Sequence, residues 1–137
     1  MDRLRTALCD LLNIEYPILQ SGMGSVAGPE LVAEVSRAGG LGILAGLRLS
    51  ADQLRTGIRR VRELTDRPFG VNLWLHTQLR PPVDPATLPD ETVQRVQGVL
   101  NGFRSQLGIP TTTSRPAPVR DVIDEAFEVI LAERVPV

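Results

Sequence analysis

The feature that most constrains the fold is an alternation of short apolar runs with amphipathic helical patterns over the first 75 residues. The apolar runs begin at Ile18, Leu41 and Phe69, and the helical patterns fall between them. The runs lack polar alternation, which is typical of strands covered on both faces, as in parallel sheets. Strands that alternate with helices form right-handed crossovers. Residues 1–76 therefore predict a βαβαβ core behind a short first helix.

Local signals place the helices of this core. Residues 3–12 predict an amphipathic first helix with its leucines on one side (Leu4, Leu8, Leu11 and Leu12). A helix begins at Gly28-Pro29-Glu30, because proline suits the first helical position and an acid there favours the helix dipole. Ser50 and Gln53 have the spacing of a capping box. The helix behind it carries a regular apolar stripe of Leu54, Ile58, Val61 and Leu64.

The strand–helix alternation breaks after residue 76. Residues 77–118 predict a Pro-rich insertion that contains one amphipathic helix, ended by Gly108. Residues 119–137 then predict a helix that leads towards a fourth strand. A barrel needs eight strands and about 250 residues, and three strands leave two open sheet edges. We therefore expect a single α/β domain at 1–137, an incomplete barrel that is part of a longer protein.

Composition excludes several classes of function. The net charge is −1 and every basic residue is Arg, so nothing favours nucleic acid or anionic membrane, and no lysine can form a Schiff base. Cys9 is the only cysteine, which excludes an internal disulfide and a CxxC site and predicts a buried thiol. No apolar run approaches the ~18 residues of a membrane span, and the charged N-terminus is unlike a secretory signal. We expect a cytoplasmic protein without a metal site.

Three sequence blocks resemble one family. YPILQSGMG, PELVAEVSRAGGLGILAG and RPFGVNLWL, in this order and spacing, are similar to the opening of the nitronate monooxygenases, once called 2-nitropropane dioxygenases. The later DEAFEVILAERVPV is similar to that family's helix before strand four. The resemblance implies the N-terminal part of an FMN-dependent (β/α)8 TIM barrel. It also implies a flavoprotein monooxygenase that oxidises alkyl nitronates with O2 to a carbonyl compound and nitrite.

The resemblance implies that the flavin contacts lie at Asn72 and along Gln20-Ser21-Gly22-Met23. An amide within an apolar strand is costly to bury unless it is hydrogen-bonded, and it offers two donors and an acceptor to a flavin edge. Gly22 allows close approach of the backbone, and Met23 offers a soft apolar surface. The alternative for Asn72 is a hydrogen bond to neighbouring backbone. The alternative for residues 20–23 is a plain βα loop with a core methionine.

Four glycines crowd the stretch RAGGLGILAG. Gly39 and Gly40 suit a helix-to-strand turn, with one of them in the left-handed conformation. Gly42 favours close packing of the strand inside a barrel, and Gly46 lies at the strand end where barrel active sites form.

The catalytic residue is not identifiable from this sequence. The family's catalytic histidine lies beyond the last residue of this chain, and the only histidine, His76, is expected in a loop near the pocket mouth.

Phe69 and Trp74 are expected in the core. The arginines Arg59, Arg60 and Arg62 are expected on a solvated helix face.

Two other functions stay open. The related FMN-dependent enoyl-acyl-carrier-protein reductases have a similar opening, and rapid reduction of the flavin by NADPH would favour them. The Pro-rich insertion favours the nitronate branch. A non-catalytic fragment, whose open sheet edges pair with another chain, is the third reading. No GxGxxG motif is present, so no Rossmann site is predicted.

Overall fold

The computed structural model describes residues 4–47, 49–75 and 82–137. The chain divides into two compact units, one formed by residues 1–75 with 122–137 and the other by residues 76–121. Among the described residues, no helix combines the length and apolar character that a membrane span requires.

The first unit is built on a three-stranded parallel sheet, as the strand–helix alternation predicts. Its strands are β1 (Leu19–Gln20), β2 (Leu41–Ala45) and β3 (Phe69–Asn72), in the order β1-β2-β3. Gln20 pairs with Gly42, and Ala45 pairs with Asn72. The N–H of Val71 donates to the C=O of Val137 at 3.0 Å, so the residues after the last helix lie along the other edge of β3. The fold is that of a partial (β/α) barrel.

Four helices accompany this sheet: α1 (Ala7–Leu12), α2 (Pro29–Arg37), α3 (Ala51–Leu64) and, after the second unit, α5 (Ile123–Ala132). Pro29 occupies the first turn of α2, and the capping box of Ser50 and Gln53 begins α3, both as predicted. A single-turn 3-10 helix (Gly24–Val26) follows β1. The local start signals therefore determine where α2 and α3 begin.

The two faces of the sheet pack against different helices. One face, the α2–α3 face, carries Leu44 and Phe69, which are buried against the predicted stripe of α3 and against α5. Each fully buried side chain of the stripe (Leu54, Ile58 and Val61) contributes about 1.5–3 kcal/mol of hydrophobic stabilisation. The other face, the α1 face, carries Leu41, which packs on the buried thiol of Cys9. The burial of Cys9 confirms its prediction.

Several predicted core residues are exposed instead. Ile18 is 62% exposed and Leu19 45%, because β1 lies at the edge of the sheet that the described residues form. Trp74 is 57% exposed because it lies two residues beyond the end of β3. The first helix begins at Ala7, so Leu4 of the predicted helix lies outside α1. Cys9 and the half-buried Leu12 face the core, whereas the other leucines predicted on that side are exposed (Leu4, Leu8 and Leu11).

The glycines at the α2–β2 junction have distinct structural roles. Gly39 adopts φ +95, the left-handed conformation predicted for one of the helix-stop glycines. A Cβ on Gly42 would lie 2.2 Å from the C=O oxygen of Val32, because α2 lies directly on β2. The close packing at Gly42 is therefore on the α2–α3 face, not on the side that would be the barrel interior, and that part of the prediction is wrong.

The arginines of α3 are paired across the unit. Arg59 and Arg62 each place a guanidinium nitrogen 3.0 Å from a carboxylate oxygen of Glu133, whose side chain is only 13% exposed. Arg60 pairs with Glu30 and Glu63. All three arginines are exposed, as expected of a solvated helix face, and three of their ion pairs reach residues outside α3.

The second unit contains α4 (Asp90–Gln106), as the apolar periodicity of the insertion predicts. Gly108 adopts φ +67 just after the helix and ends it. The amide of Asn101 donates to the C=O of Thr112 and accepts from its N–H, which holds the following loop against α4. The helix buries none of its residues, and its apolar face is exposed (Val96, Val99, Leu100, Phe103 and the adjoining Leu107).

Candidate functional site

The carboxyl ends of β1, β2 and β3 meet at one edge of the sheet, where barrel enzymes build their active sites. The loop after β1 begins with Ser21, β2 continues into Gly46, and β3 ends at Asn72. The N–H of Gly46 donates to the C=O of Asn72 at 3.0 Å, which joins the ends of β2 and β3. We call this edge the carboxyl edge.

Gly22 and Asn72 lie in direct contact there. A Cβ on Gly22 would stand 3.1 Å from the Cβ of Asn72 and 3.3 Å from the Cα of Ala45. The loop after β1 therefore crosses closely over the ends of the other two strands. Two residues that are 50 positions apart in sequence are brought together by the parallel order of the strands.

Asn72 is exposed, contrary to the burial assumed from its apolar neighbours in the sequence. It pairs in register with Ala45, so its side chain shares the α1 face of the sheet, the face that forms the interior in a closed barrel. Within the described parts of the chain, its carboxamide forms no hydrogen bond, so it does not bond to neighbouring backbone. Two donors and one acceptor remain open to a ligand.

Gln20 is oriented differently from Asn72. It pairs in register with Gly42, whose face packs on α2, and its Nε2 donates to the C=O of Ile43 at 3.2 Å and to the C=O of Ser21. Its Oε1 is buried without a hydrogen-bond partner among the described residues. The structure therefore separates the Gln20 side chain from that of Asn72, and only the backbone of Gln20 continues towards the carboxyl edge.

The remaining predicted contacts are on the surface. Ser21 is exposed, and Met23 is 47% exposed, so the alternative of a core methionine is wrong. Sequence reasoning did not single out Ala45, the small residue that pairs with Asn72 and lies close to Gly22. Its only sequence signal is the small pair Ala45-Gly46 at the end of an apolar strand.

The described residues of the carboxyl edge lack groups that transfer protons. Residues 20–28, 45–47 and 72–75 contain no carboxylate, imidazole or thiol, and His76 lies outside the described residues. Within the part of the chain that the structure covers, no cluster of His, Cys, Asp and Glu has the arrangement of a metal site. The hydrogen bonds that Arg60 donates to Glu63 and Glu30 raise its pKa above the ordinary value. That group lies on α3, away from this edge.

An open cleft of about 680 Å³ lies at the other end of the sheet. It is lined by residues at the amino end of β3, by α1 residues and by Pro136 and Val137. None of the predicted site residues contributes to it. Because active sites of barrels form at the carboxyl face, the cleft is not the candidate site.

Comparisons with known proteins show the family of this chain. The family model described as nitronate monooxygenase matches residues 5–137. A probable nitronate monooxygenase of Staphylococcus saprophyticus is 36% identical over 129 residues, covering 92% of this chain and 34% of that protein. A (3aS,4S,5R,7aS)-5-hydroxy-7a-methyl-1-oxo-octahydro-1H-indene-4-carboxyl-CoA dehydrogenase of Rhodococcus jostii is 51% identical over 73 residues, covering 53% of this chain and 21% of that protein.

Two solved structures superpose on most of this chain. A nitroalkane oxidase from Streptomyces ansochromogenes superposes with a TM-score of 0.70 at 33% identity, over 95% of this chain and 34% of that one. FabK from Thermotoga maritima superposes with a TM-score of 0.62 at 31% identity, over 96% of this chain and 28% of that one. The chain thus spans between a fifth and a third of the length of the relatives named here.

Proposed function

The chain belongs to the nitronate monooxygenase family, and we propose that its carboxyl edge is one wall of an FMN site that serves the oxidation of alkyl nitronates by O2 to a carbonyl compound and nitrite. The observation that supports this proposal most strongly is the Asn72 carboxamide, which is exposed, bonded to no described side chain or backbone, and in contact with Gly22. The activity is that of a whole family member, of which this chain provides the first strands.

The residues of the carboxyl edge fit a flat heteroaromatic ligand. Gly22 and Ala45 carry little or no side chain, so a ring can approach the backbone closely. Met23 presents an exposed thioether, which makes favourable contacts with aromatic rings. Asn72 offers both hydrogen-bond donors and an acceptor, which suits the alternating polar edge of a flavin. Bound FMN would supply the electron-transfer chemistry.

In this proposal, the residues of this chain bind the flavin ring and orient it. Asn72 would hold the polar edge of the ring, and the backbone of residues 20–23 would lie beside the ring, with the Gln20 side chain kept on the α2–α3 face. Ser21 adds an exposed hydroxyl. Because the described residues of this edge include no carboxylate, imidazole or thiol, we assign them no proton transfer.

The test is an absorbance spectrum between 350 and 500 nm of the purified chain, followed by titration with FMN. We expect flavin bands or saturable FMN binding, weakened by Asn72→Ala. Gln94→Ala is the matched control, since it removes an exposed amide from α4 in the other unit. A nitrite assay with an alkyl nitronate then tests the reaction. A folded chain that binds no FMN would refute this role for its carboxyl edge.

A second candidate is flavin-dependent reduction or dehydrogenation of a thioester substrate, as in an enoyl-acyl-carrier-protein reductase. The observation that favours it is the 51% identity to a protein named as a carboxyl-CoA dehydrogenase, together with the superposition on FabK. Rapid reduction of the bound flavin by NADPH would support this candidate, whereas slow reduction with nitrite production would support the first.

A third candidate is pairing through an open sheet edge, with a second copy of this chain as the partner. The outer edge of β1 carries exposed Ile18 and Leu19, and unpaired strand edges attract other strands. Sedimentation velocity of the flavin-free chain tests this. A monomer at micromolar concentration would exclude it.

A further inference from the structure

We infer that Gly22 and Gly46 act as positioning residues for Asn72, Gly22 beside its Cβ and Gly46 at its backbone carbonyl, because a side chain at either position would crowd these contacts. The steric part of this inference stands on the geometry of the carboxyl edge alone. Its consequence for ligand binding rests on the proposed flavin site.

The requirement for glycine at position 22 is one of space. Gly22 does not adopt a left-handed φ, in contrast to Gly24 at +52 and Gly39 at +95, so its backbone conformation is open to any residue. A Cβ there would lie 3.1 Å from the Cβ of Asn72, which is tighter than ordinary van der Waals contact. An alanine at position 22 would therefore displace the Asn72 side chain or lift the loop.

Gly46 restrains Asn72 from the side of β2. Its N–H donates to the C=O of Asn72 at 3.0 Å. A Cβ on Gly46 would stand 2.9 Å from Cγ1 of Val71, 3.0 Å from Cδ2 of Leu73 and 3.1 Å from that same carbonyl oxygen. Gly46 also lacks a left-handed φ, so space and not conformation explains the glycine here too.

The position of the Asn72 side chain is set through its backbone and its Cβ, and not through its carboxamide. The carboxamide has no hydrogen-bond partner among the described residues, so the site of its Cβ is set by the backbone bond to Gly46 and by the packing of Gly22. Binding groups held within about 0.5 Å by their supporting shell are more effective than loosely held ones. The two glycines therefore preorganise the amide for its ligand.

The test compares Gly22→Ala with wild type by two measurements on the whole chain. The first is the side-chain amide resonance pair of Asn72 in a ¹H–¹⁵N spectrum, assigned by its loss in Asn72→Ala. The second is the dissociation constant for added FMN. We expect Gly22→Ala to shift the resonance pair and to weaken FMN binding about tenfold. Gly98→Ala is the control, because a Cβ there meets nothing within 4 Å, and it should change neither.

A mutant cycle separates positioning from general damage. Asn72→Gly removes the Cβ that Gly22→Ala would meet, whereas Asn72→Ala keeps it. We expect the loss of thermal stability caused by Gly22→Ala to shrink in the Asn72→Gly background and to persist in the Asn72→Ala background. The same loss in both backgrounds would overturn the inference, as would an unshifted resonance pair in Gly22→Ala. If wild type binds no FMN, the proposed function fails, while the resonance and the cycle still decide the positioning role.

Discussion

Gly42→Ala provides the sharpest test of how α2 lies on the sheet. The added Cβ would stand 2.2 Å from the Val32 oxygen, 2.7 Å from its Cα and 2.8 Å from its carbonyl carbon. All three atoms belong to the backbone of α2, so no side-chain rotation can relieve the clash. Restoring an ordinary contact of 3.4 Å to the oxygen requires a movement of 1.2 Å, the difference between 3.4 and 2.2 Å.

The cost of that movement follows from what α2 buries. Val32 is fully buried between α2 and the sheet, and the N–H of Gly42 donates to the buried hydroxyl of Ser36 at 3.1 Å. A gap of about 1 Å forfeits a quarter to a half of each dispersion contact across the interface. Overpacking of a core costs about 1–3 kcal/mol or more, and the strained Ser36 hydrogen bond adds about 1 kcal/mol. We expect Gly42→Ala to lose about 3 kcal/mol.

Chemical and thermal denaturation followed by circular dichroism measures this loss. At this chain length about 3 kcal/mol corresponds to a fall in Tm of roughly 10 °C. Gly57→Ala is the matched control, because its Cβ would meet side-chain atoms, the tip of Leu44 at 3.2 Å and Cγ of Pro29 at 3.9 Å, and alanine favours a helix interior by about 1 kcal/mol. A Gly42→Ala chain that melts within 2 °C (roughly 0.5 kcal/mol) of wild type would refute the close approach of α2 to β2.

Four further outcomes are expected. Glu133→Ala should lower the free energy of unfolding by about 2 kcal/mol, because it leaves Arg59 and Arg62 without their partly buried partner; an unchanged urea midpoint would contradict this. Asn72→Ala should weaken FMN binding about tenfold in a fluorescence titration while leaving the melting curve unchanged, because the side chain is exposed. Ser50→Ala should cost about 1 kcal/mol through loss of the capping box, whereas Ser105→Ala on exposed α4 should cost less than half of that in the same urea titration. Leu54→Ala should cost about 2–5 kcal/mol by leaving a cavity in the core, and a smaller loss would show that the core collapses around it.

Much of the fold was predictable because its signals are local. The helix start at Pro29, the capping box of Ser50 and Gln53 and the left-handed Gly39 each depend on a few neighbouring residues. The stripe of α3 needs only helical periodicity. Parallel pairing then follows, because helices between consecutive strands leave few other connections.

The candidate site was predictable only as a set of residues and not as an arrangement. Gly22 and Asn72 were both singled out, but their contact depends on the β1-β2-β3 order and register. Gln20 and Asn72 were grouped, yet a strand directs alternate residues to opposite faces, and Gln20 pairs with Gly42 on the α2–α3 face. Without the register, no sequence pattern distinguishes the two faces at these positions.

The sequence by itself determined the alternating elements, their caps and the family, because these depend on spacing along the chain. Only the tertiary structure decided which apolar residues are covered and which charges meet. Ile18 and Met23 are exposed because they lie in the edge strand region and its loop, which the described residues leave uncovered, although their hydropathy favours burial. Glu133 meets Arg62 across 71 residues of sequence because α5 packs on α3. Burial and ion pairing depend on neighbours in space, and distant segments of the chain supply those neighbours.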